Sequence, residues 1–326
     1  MEIDSTFREE LEQRSVAAGF CAVGIAPAQV EDAHRLRLAQ WLSADMHGEM
    51  GYMARPNIDR SNAETVLPGA KSVIVFAASY APPGPPPRPE IATGFVRIAR
   101  YALGKDYHEV FRERLAQVET WLRETIPGHE WRIITDSAPL LERSFAEAAG
   151  LGFIGRNTML ITPTVGSFVL LAEIVTTAEL PRDRPRPGTC GTCTRCITAC
   201  PTQAITAGGV VDARLCISYT TIERRSPPSP AEQAAAAPWA FGCDICQDVC
   251  PYNNHPKYEP MEELPEGLML NAVEPASTFL EPTSNSQFER RFAGNPVLRP
   301  GRTRVQRNVK WAARLEKNGN PEPDLD

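Results

Sequence analysis

No stretch of the sequence approaches the about 18–20 consecutive apolar residues that a membrane helix requires, which argues against a spanning role. The start, Met1-Glu-Ile-Asp-Ser-Thr-Phe-Arg-Glu-Glu, is acidic. It lacks the basic and apolar regions of a secretory leader, and it lacks a twin-arginine pair. The expected compartment is therefore the cytoplasm, where thiols stay reduced and a disulfide framework is excluded. No internal repeat is detectable, so no helical-repeat array is expected. A net charge of −6 gives no overall basic excess, which argues weakly against nucleic acid, but the charge is unevenly spread. The 326 residues, 42% hydrophobic and 23% charged, suffice for two domains or for one core and a smaller module.

Against these absences stands a concentration of cysteine. Eight of the nine cysteines fall between Cys190 and Cys250. The first run, Cys190-Gly-Thr-Cys193-Thr-Arg-Cys196-Ile-Thr-Ala-Cys200-Pro201, is C-x2-C-x2-C-x3-C-P. In bacterial two-cluster ferredoxins the fourth cysteine of that run ligates the other cluster. The second run, Cys243-Asp-Ile-Cys246-Gln-Asp-Val-Cys250-Pro251, lacks the first cysteine of the motif, and Cys216 lies between the runs to make up eight. Crossing then assigns Cys190, Cys193, Cys196 and Cys250 to one [4Fe–4S] cube, and Cys200, Cys216, Cys243 and Cys246 to the other. Structural zinc uses pairs of C-x2-C and has no need of the C-x3-C-P ending. The chain is expected to handle electrons.

Alternating helix and strand patterns occupy residues 1–178. Phe20–Ile25, Lys71–Tyr80, Trp131–Thr135 and Ser167–Thr176 read as strands. Asp32–Leu42, His108–Thr125 and a segment opened by Ser137, with Pro139 in its first turn, read as helices. The run Ala81–Glu90 is proline-rich and reads as an exposed loop, partly polyproline II. Residues 179–260 read as a loop-rich cluster module, and 261–326 as a C-terminal basic segment of weak periodicity. Gly150-Leu-Gly152-Phe-Ile-Gly155 fits G-x-G-x-x-G but follows a helix instead of a strand. Gly150 is better read as a left-handed helix cap than as a dinucleotide fingerprint.

Several separated segments narrow the field. Gly104-Lys-Asp-Tyr-His108, Asp136, Leu141 to Asn157, Gly166 to Glu173, Leu215 to Glu223, Gly242 to Asn253 and Val305-Gln-Arg-Asn-Val309 occur in an order that resembles epoxyqueuosine reductase, over about residues 5–315. The resemblance implies an α/β (α+β) fold: a nitroreductase-like cobalamin-binding domain, then a ferredoxin-like domain with two [4Fe–4S] clusters and a short C-terminal tail. It implies reduction of epoxyqueuosine to queuosine at the wobble position of tRNA, with base-off cobalamin beside the clusters. The partners it implies are a tRNA anticodon stem-loop and an external electron donor, the enzyme acting as a monomer. The sequence has no D-x-H-x-x-G cobalamin signature, and base-off binding without a protein ligand on cobalt would need none.

Removing the epoxide oxygen calls for a placed acid. Asp136 lies just past a strand and matches the family's proton donor, so a desolvated carboxyl with a raised pKa is expected there. Its alternative role is a helix N-cap. Arg60 and Arg143 match positions near the corrin, and Ser218 and Asp244 adjoin cluster cysteines, where they could reach the corrin or cap turns. Tyr107 and His108 form a polar pair that either faces substrate or orders a helix start. Cys21 reads as a small buried hydrophobe. Between Glu289 and Lys317 lie Arg290, Arg291, Arg299, Arg302, Arg304, Arg307, Lys310, Arg314 and Lys317, against Glu289 and Glu316. Such a strip suits phosphate contacts, or it is a solvated helix face. Alternatives from the residues alone are a cobalamin-dependent small-molecule reductase of dehalogenase type, a two-cluster electron carrier, or a tRNA-binding protein whose clusters are structural.

Overall fold

The computed structural model describes residues 5–80, 91–254, 259–265 and 267–314. The proline-rich run Ala81–Glu90 and the end of the basic strip, Glu316 and Lys317, lie outside them. The helices are α1 (Ser5–Ala17), α2 (Asp32–Ser43), α3 (Tyr107–Thr125), α4 (Glu142–Ala148), α5 (Arg195–Ala199), α6 (Ile217–Ile222), α7 (Pro230–Ala236), α8 (Ile245–Asp248), α9 (Ser277–Leu280), α10 (Asn285–Arg291) and α11 (Arg302–Ala312). The strands are β1 (Ala22–Pro27), β2 (Ser72–Ser79), β3 (Phe95–Ile98), β4 (Trp131–Ile134), β5 (Phe153–Ile154), β6 (Leu160–Ile161), β7 (Val169–Thr176), β8 (Trp239–Phe241) and β9 (Val273–Pro275).

The main sheet runs β1-β2-β7-β4, antiparallel throughout. Its central strand β2 is buried along its whole length, as its continuous apolar run requires. Side chains alternate between two cores. Ile74, Phe76 and Ala78 join Phe7, Phe111 and Leu115 under α1 and α3. Val73, Val75 and Ala77 join Phe145 and Ala146 of α4 on the opposite face. Burial of these large apolar side chains, each worth about 1.5–3 kcal/mol, is what fixes the sheet between its helices.

A smaller sheet runs β8-β3-β9. It takes one strand from before the cysteines, one from among them and one from after them. The third core beneath it gathers Val96, Ile98 and Leu103 with Phe241, Phe279, Phe288, Val305 and Val309. The stretch after residue 261 is thus packed into the body of the protein. Its periodicity was weak because the buried face of α11 includes Asn308, fully inaccessible, beside Val305 and Val309. The Asn308 amide donates to the carbonyls of Thr221 (2.7 Å) and Ala240 (3.1 Å), so a polar residue does core work there.

The helix expected to open at Ser137 begins instead at Glu142. Asp136 adopts a left-handed backbone (φ 49°), which breaks the chain's course. The amide of Leu141 is then held by the carbonyl of Arg60 at 2.9 Å. Gly150 closes α4 with φ 75°, the left-handed cap read from the sequence. A Cβ on Gly152 would lie 2.2 Å from the Ile161 carbonyl, so this glycine serves the close approach of β5 to β6.

Candidate active site and cluster module

The cysteines of the two runs lie close enough to act on one another's charge. None of the nine cysteines is in a disulfide, and the eight between 190 and 250 line short turns around α5, α6 and α8. Burial raises the Cys250 thiol to about 11, and the groups facing it are Cys190, Cys196 and Cys193. Burial also raises Cys216, which faces Cys200. Cys243 faces Cys246 and Cys216; Cys246 faces Cys216, Cys196 and Cys200. Two groups of four thus emerge, with Cys196 and Cys246 adjoining between them. Among the described residues no three His, Cys, Asp or Glu converge tightly enough for a single metal ion. A cube spreads its four sulfurs wider than one ion does, so the donor set fits clusters better than zinc. Cys21 is absent from both groups; burial raises its thiol to about 11, and it bonds the Ala77 carbonyl.

The module is bolted to the main sheet. Gln247, between cluster cysteines on α8, accepts from Ser167 Oγ (3.1 Å) and donates to Tyr80 Oη (3.1 Å). Asn253 Oδ1 accepts the Ser167 amide at 2.6 Å. Asp244 is buried and accepts the Arg100 amide at 2.9 Å, while the Arg100 guanidinium reaches Asp248 at 2.6 Å. Asp244 thus orders the turn at Arg100. Ser218 lies half-buried on α6, directly after Cys216 and Ile217.

Asp136 sits in the loop between β4 and α4. Its Oδ2 accepts from Arg299 Nη1 at 2.8 Å and lies 3.4 Å from His108 Nε2. His108 Nδ1 meets Asp106 Oδ1 at 2.7 Å, and Asp106 also caps α3 through the His108 amide at 3.0 Å. Arg299 reaches on to Glu223 at 3.1 Å. Asn295 fixes the Arg299 turn by donating to the carbonyls of Ala102 and Gly104 (2.9 and 2.8 Å). These residues border a cleft of about 420 Å³ lined by Asp106, His108, Asp136, Ser137, Asn295 and Arg299.

The electrostatics correct one expectation. Burial alone would raise the Asp136 carboxyl, but the His108 hydrogen bond and the Arg299 charge outweigh it and hold the group at about 2. Asp136 is an ionised carboxylate here. Burial likewise opposes the charge on His108, yet Asp106 and Asp136 raise it to about 9. The proton of this cluster rests on His108 at neutral pH. Behind Asp136, its backbone N–H donates to the Glu142 carboxylate. Burial first, then the Asp136 charge, pushes Glu142 up to about 7.

Arg60 is buried and donates to the Tyr52 carbonyl at 2.7 Å, leaving its Nε without a partner among the described residues. Tyr52 adjoins Arg60, Arg299, Asp136 and Glu223, which puts Arg60 on the rim of the same site. Arg143 donates to the Thr158 carbonyl, and the Glu142 and Asp136 carboxylates lie near enough to act on its charge. The basic strip divides. Arg304 and Arg307 donate to the carbonyls of residues 222–226 at the end of α6, and Arg291 pairs with Glu281. Arg302 bonds Asn285 and Gln306, while Arg290, Lys310 and Arg314 are exposed. Sequence reasoning missed Tyr52, Glu142, Glu173 and Glu223 as members of the site, and it placed Arg299 in the strip, not on Asp136.

Comparison with known proteins agrees with this geometry. Residues 189–253 match the 4Fe-4S double cluster binding domain, and residues 60–137 match the family described as Epoxyqueuosine reductase QueG, DUF1730. The chain is 40% identical to the epoxyqueuosine reductase of Gloeobacter violaceus over 93% of this chain and 94% of that one. It is similar to a crystal structure of epoxyqueuosine reductase with a tRNA-Tyr epoxyqueuosine-modified stem loop, with a TM-score of 0.84 and 30% identity, covering 94% of this chain and 80% of that one. It is also similar to the Bacillus subtilis epoxyqueuosine reductase in a form whose aspartate-bearing catalytic loop is swung out of the active site. The TM-score there is 0.81 and the identity 30%, over 94% of this chain and 81% of that one. Among the described residues, no helix is long and apolar enough to cross a membrane.

Proposed function

The chain belongs to the epoxyqueuosine reductase family, and from that premise we propose that Asp136 is the group that delivers a proton to the departing epoxide oxygen. The enzyme reduces epoxyqueuosine to queuosine in tRNA. Two [4Fe–4S] clusters supply single electrons, held by the eight cysteines in the crossed arrangement, and cobalamin supplies a reducible metal centre at the substrate. Arg60 suits cobalamin, because its buried Nε lacks an acceptor and a corrin amide or phosphate would provide one. Arg143 and Ser218 are the further groups assigned to it, while Asp244 acts through Arg100.

The observation that carries the role of Asp136 is its place in the cleft, 3.4 Å from a histidine that keeps a proton at neutral pH. Asp136 as it stands is ionised. His108 is the proton source, and Asp136 passes that proton on once Arg299 loosens its hold. A bound polyanion would draw Arg299 away and so favour the acid form of Asp136. The swung-out aspartate loop of the Bacillus subtilis relative supports a mobile acid of this kind. Exposed Arg290, Lys310 and Arg314 contact tRNA phosphates, the electron donor is a separate protein or reductant, and the enzyme works as a monomer.

The test is anaerobic reconstitution with iron, sulfide and cobalamin, then reaction with a reductant and an anticodon stem-loop carrying epoxyqueuosine. Mass spectrometry should show loss of one oxygen, dependent on cobalamin and abolished or strongly slowed in Asp136→Ala. Undiminished turnover by Asp136→Ala would remove the proton-donor role.

A further inference from the structure

Glu173 is a buried acid that the proposed chemistry leaves unused. It lies midway along β7, between Val75 of β2 and Ile134 of β4, and its side chain is fully inaccessible. Strand alternation puts it on the face of Leu171 and Val175, toward α4. Among the described residues neither of its carboxyl oxygens meets an N–H or O–H donor. The group that faces it is the carboxyl of Glu142.

Two ionised carboxylates present only acceptors to each other, and Glu173 is fully buried on the sheet face whose core holds Ile134, Leu140 and Phe145. One proton between the two converts that clash into a hydrogen bond. Glu142 already accepts the Asp136 N–H, so the proton belongs on Glu173, with Glu142 as the acceptor of both. We infer that Glu142 and Glu173 share a single proton and that this proton, by keeping Glu142 against the Asp136 amide, makes the pair a positioning device for the Asp136 loop. The inference rests on reading Asp136 as the proton donor.

The loop needs such a hold. Asp136 has a backbone φ of 49°, a conformation that a non-glycine residue keeps only when its surroundings impose it. The charged and titratable groups around the pair can be named element by element. Asp136, from the loop after β4, adds negative charge beside both acids. Tyr107 of α3 presents its phenol to Asp136 and Glu142. Arg143 of α4 is the nearby cation, its guanidinium donating to Thr158. His108 and Arg299 face Asp136. The strand neighbours Val75 and Ile134 bring no charge. Burial, then the facing carboxylates, raises Glu142 to about 7 and Glu173 well above the ordinary carboxyl value, so the shared proton is kept at low pH and shed as pH rises. Once it is shed, two like charges in contact drive Glu142 off the Asp136 amide.

The experiment uses the reconstituted holoenzyme and the epoxyqueuosine stem-loop. Single-turnover rate and hydrogen exchange of residues 135–141 are followed together from about pH 6 to about pH 9.5. In the wild type the rate should fall and the exchange rise over one interval. In Glu173→Gln a permanent amide donor replaces the proton, so loop protection should lose its pH dependence and the alkaline fall in rate should move up by about one pH unit or more. Glu142→Gln keeps an acceptor for the Asp136 amide and a donor for Glu173, and it should behave alike, which covers a Glu173 variant that misfolds. Glu173→Leu supplies no donor and should leave the loop unprotected at every pH, with turnover lower by about 10-fold or more. Glutamine variants with wild-type pH profiles in both readouts would overturn the inference, as would a protected loop in Glu173→Leu. Hydrogen exchange needs no turnover. If conversion fails in the wild type while loop protection still follows pH, the assigned reaction falls and the carboxyl pair stands.

Discussion

The cluster module and the acid site are built on opposite plans. The cluster ligands all come from one stretch, Cys190 to Cys250, at spacings set by the size of a cube. The acid site gathers Asp106 and His108 from the start of α3, Asp136 from the loop after β4, Glu223 from the end of α6 and Arg299 from beyond a short turn. The first is dictated by its cofactor and the second by the fold. The difference teaches that the two should fail independently, and variants can be chosen to test that separation.

The largest effect should come from Cys250→Ala, which removes the cysteine proposed to cross from the second run to the first. Iron should fall from about eight to about four per chain, and turnover should be lost, while hydrogen exchange of the Asp136 loop stays as it was. Asp136→Asn should do the reverse, keeping full iron and cluster absorbance while turnover drops by about 10²–10⁴-fold. If Asp136→Asn lost iron, the two regions would not be separable. Asn308→Ala probes what lies between them. Removing its amide strands two buried carbonyls and should cost about 2–3 kcal/mol of unfolding free energy by denaturant titration, with turnover per folded molecule little changed.

The smallest effect is electrostatic. The folded protein raises His108 to about 9, so its ion pairs stabilise fully below the ordinary histidine value of about 6.5 and lose their effect as pH climbs through about 9. The difference in melting temperature between wild type and His108→Gln should therefore shrink as pH rises from 7 to 10. A difference that stayed constant would assign the histidine to packing alone. Arg299→Gln should raise the Asp136 carboxyl from about 2 toward the ordinary value near 3.9, seen as a shift of the acid limb of the pH–rate profile.

The same contrast governs what could be read in the sequence. The cysteine runs were legible because ligand spacing is local, and β2 was legible because an eight-residue apolar strand buried on both faces needs no context. Gly150 was legible as a cap because a left-handed turn after a helix leaves few choices. The acid site was legible as Asp136 and, in one of two readings, as His108. Its carboxylate state depends on Arg299, 163 positions away, and no local pattern announces that meeting. Burial does push the Asp136 carboxyl upward; the cations that overrule it come from other segments. Glu173 lay unremarked inside the strand Ser167–Thr176, and its meaning came only when α4 brought Glu142 against it. The C-terminal helices were illegible for a different reason, since Asn308, Arg304 and Arg307 do their bonding inward and so erase the apolar stripe.

The strand Phe95–Ile98 pairs with Trp239–Phe241 on one side and Val273–Pro275 on the other. During synthesis it emerges about 140 residues before its first partner, a wait of roughly 7–30 s at bacterial elongation speeds of about 5–20 residues per second. Both edges of that strand stay open throughout the wait. Every cluster cysteine but Cys243, Cys246 and Cys250 also leaves the ribosome within it. Birth of this protein is thus a scheduling problem, and slow translation or scarce iron should be felt as aggregation before it is felt as lost activity.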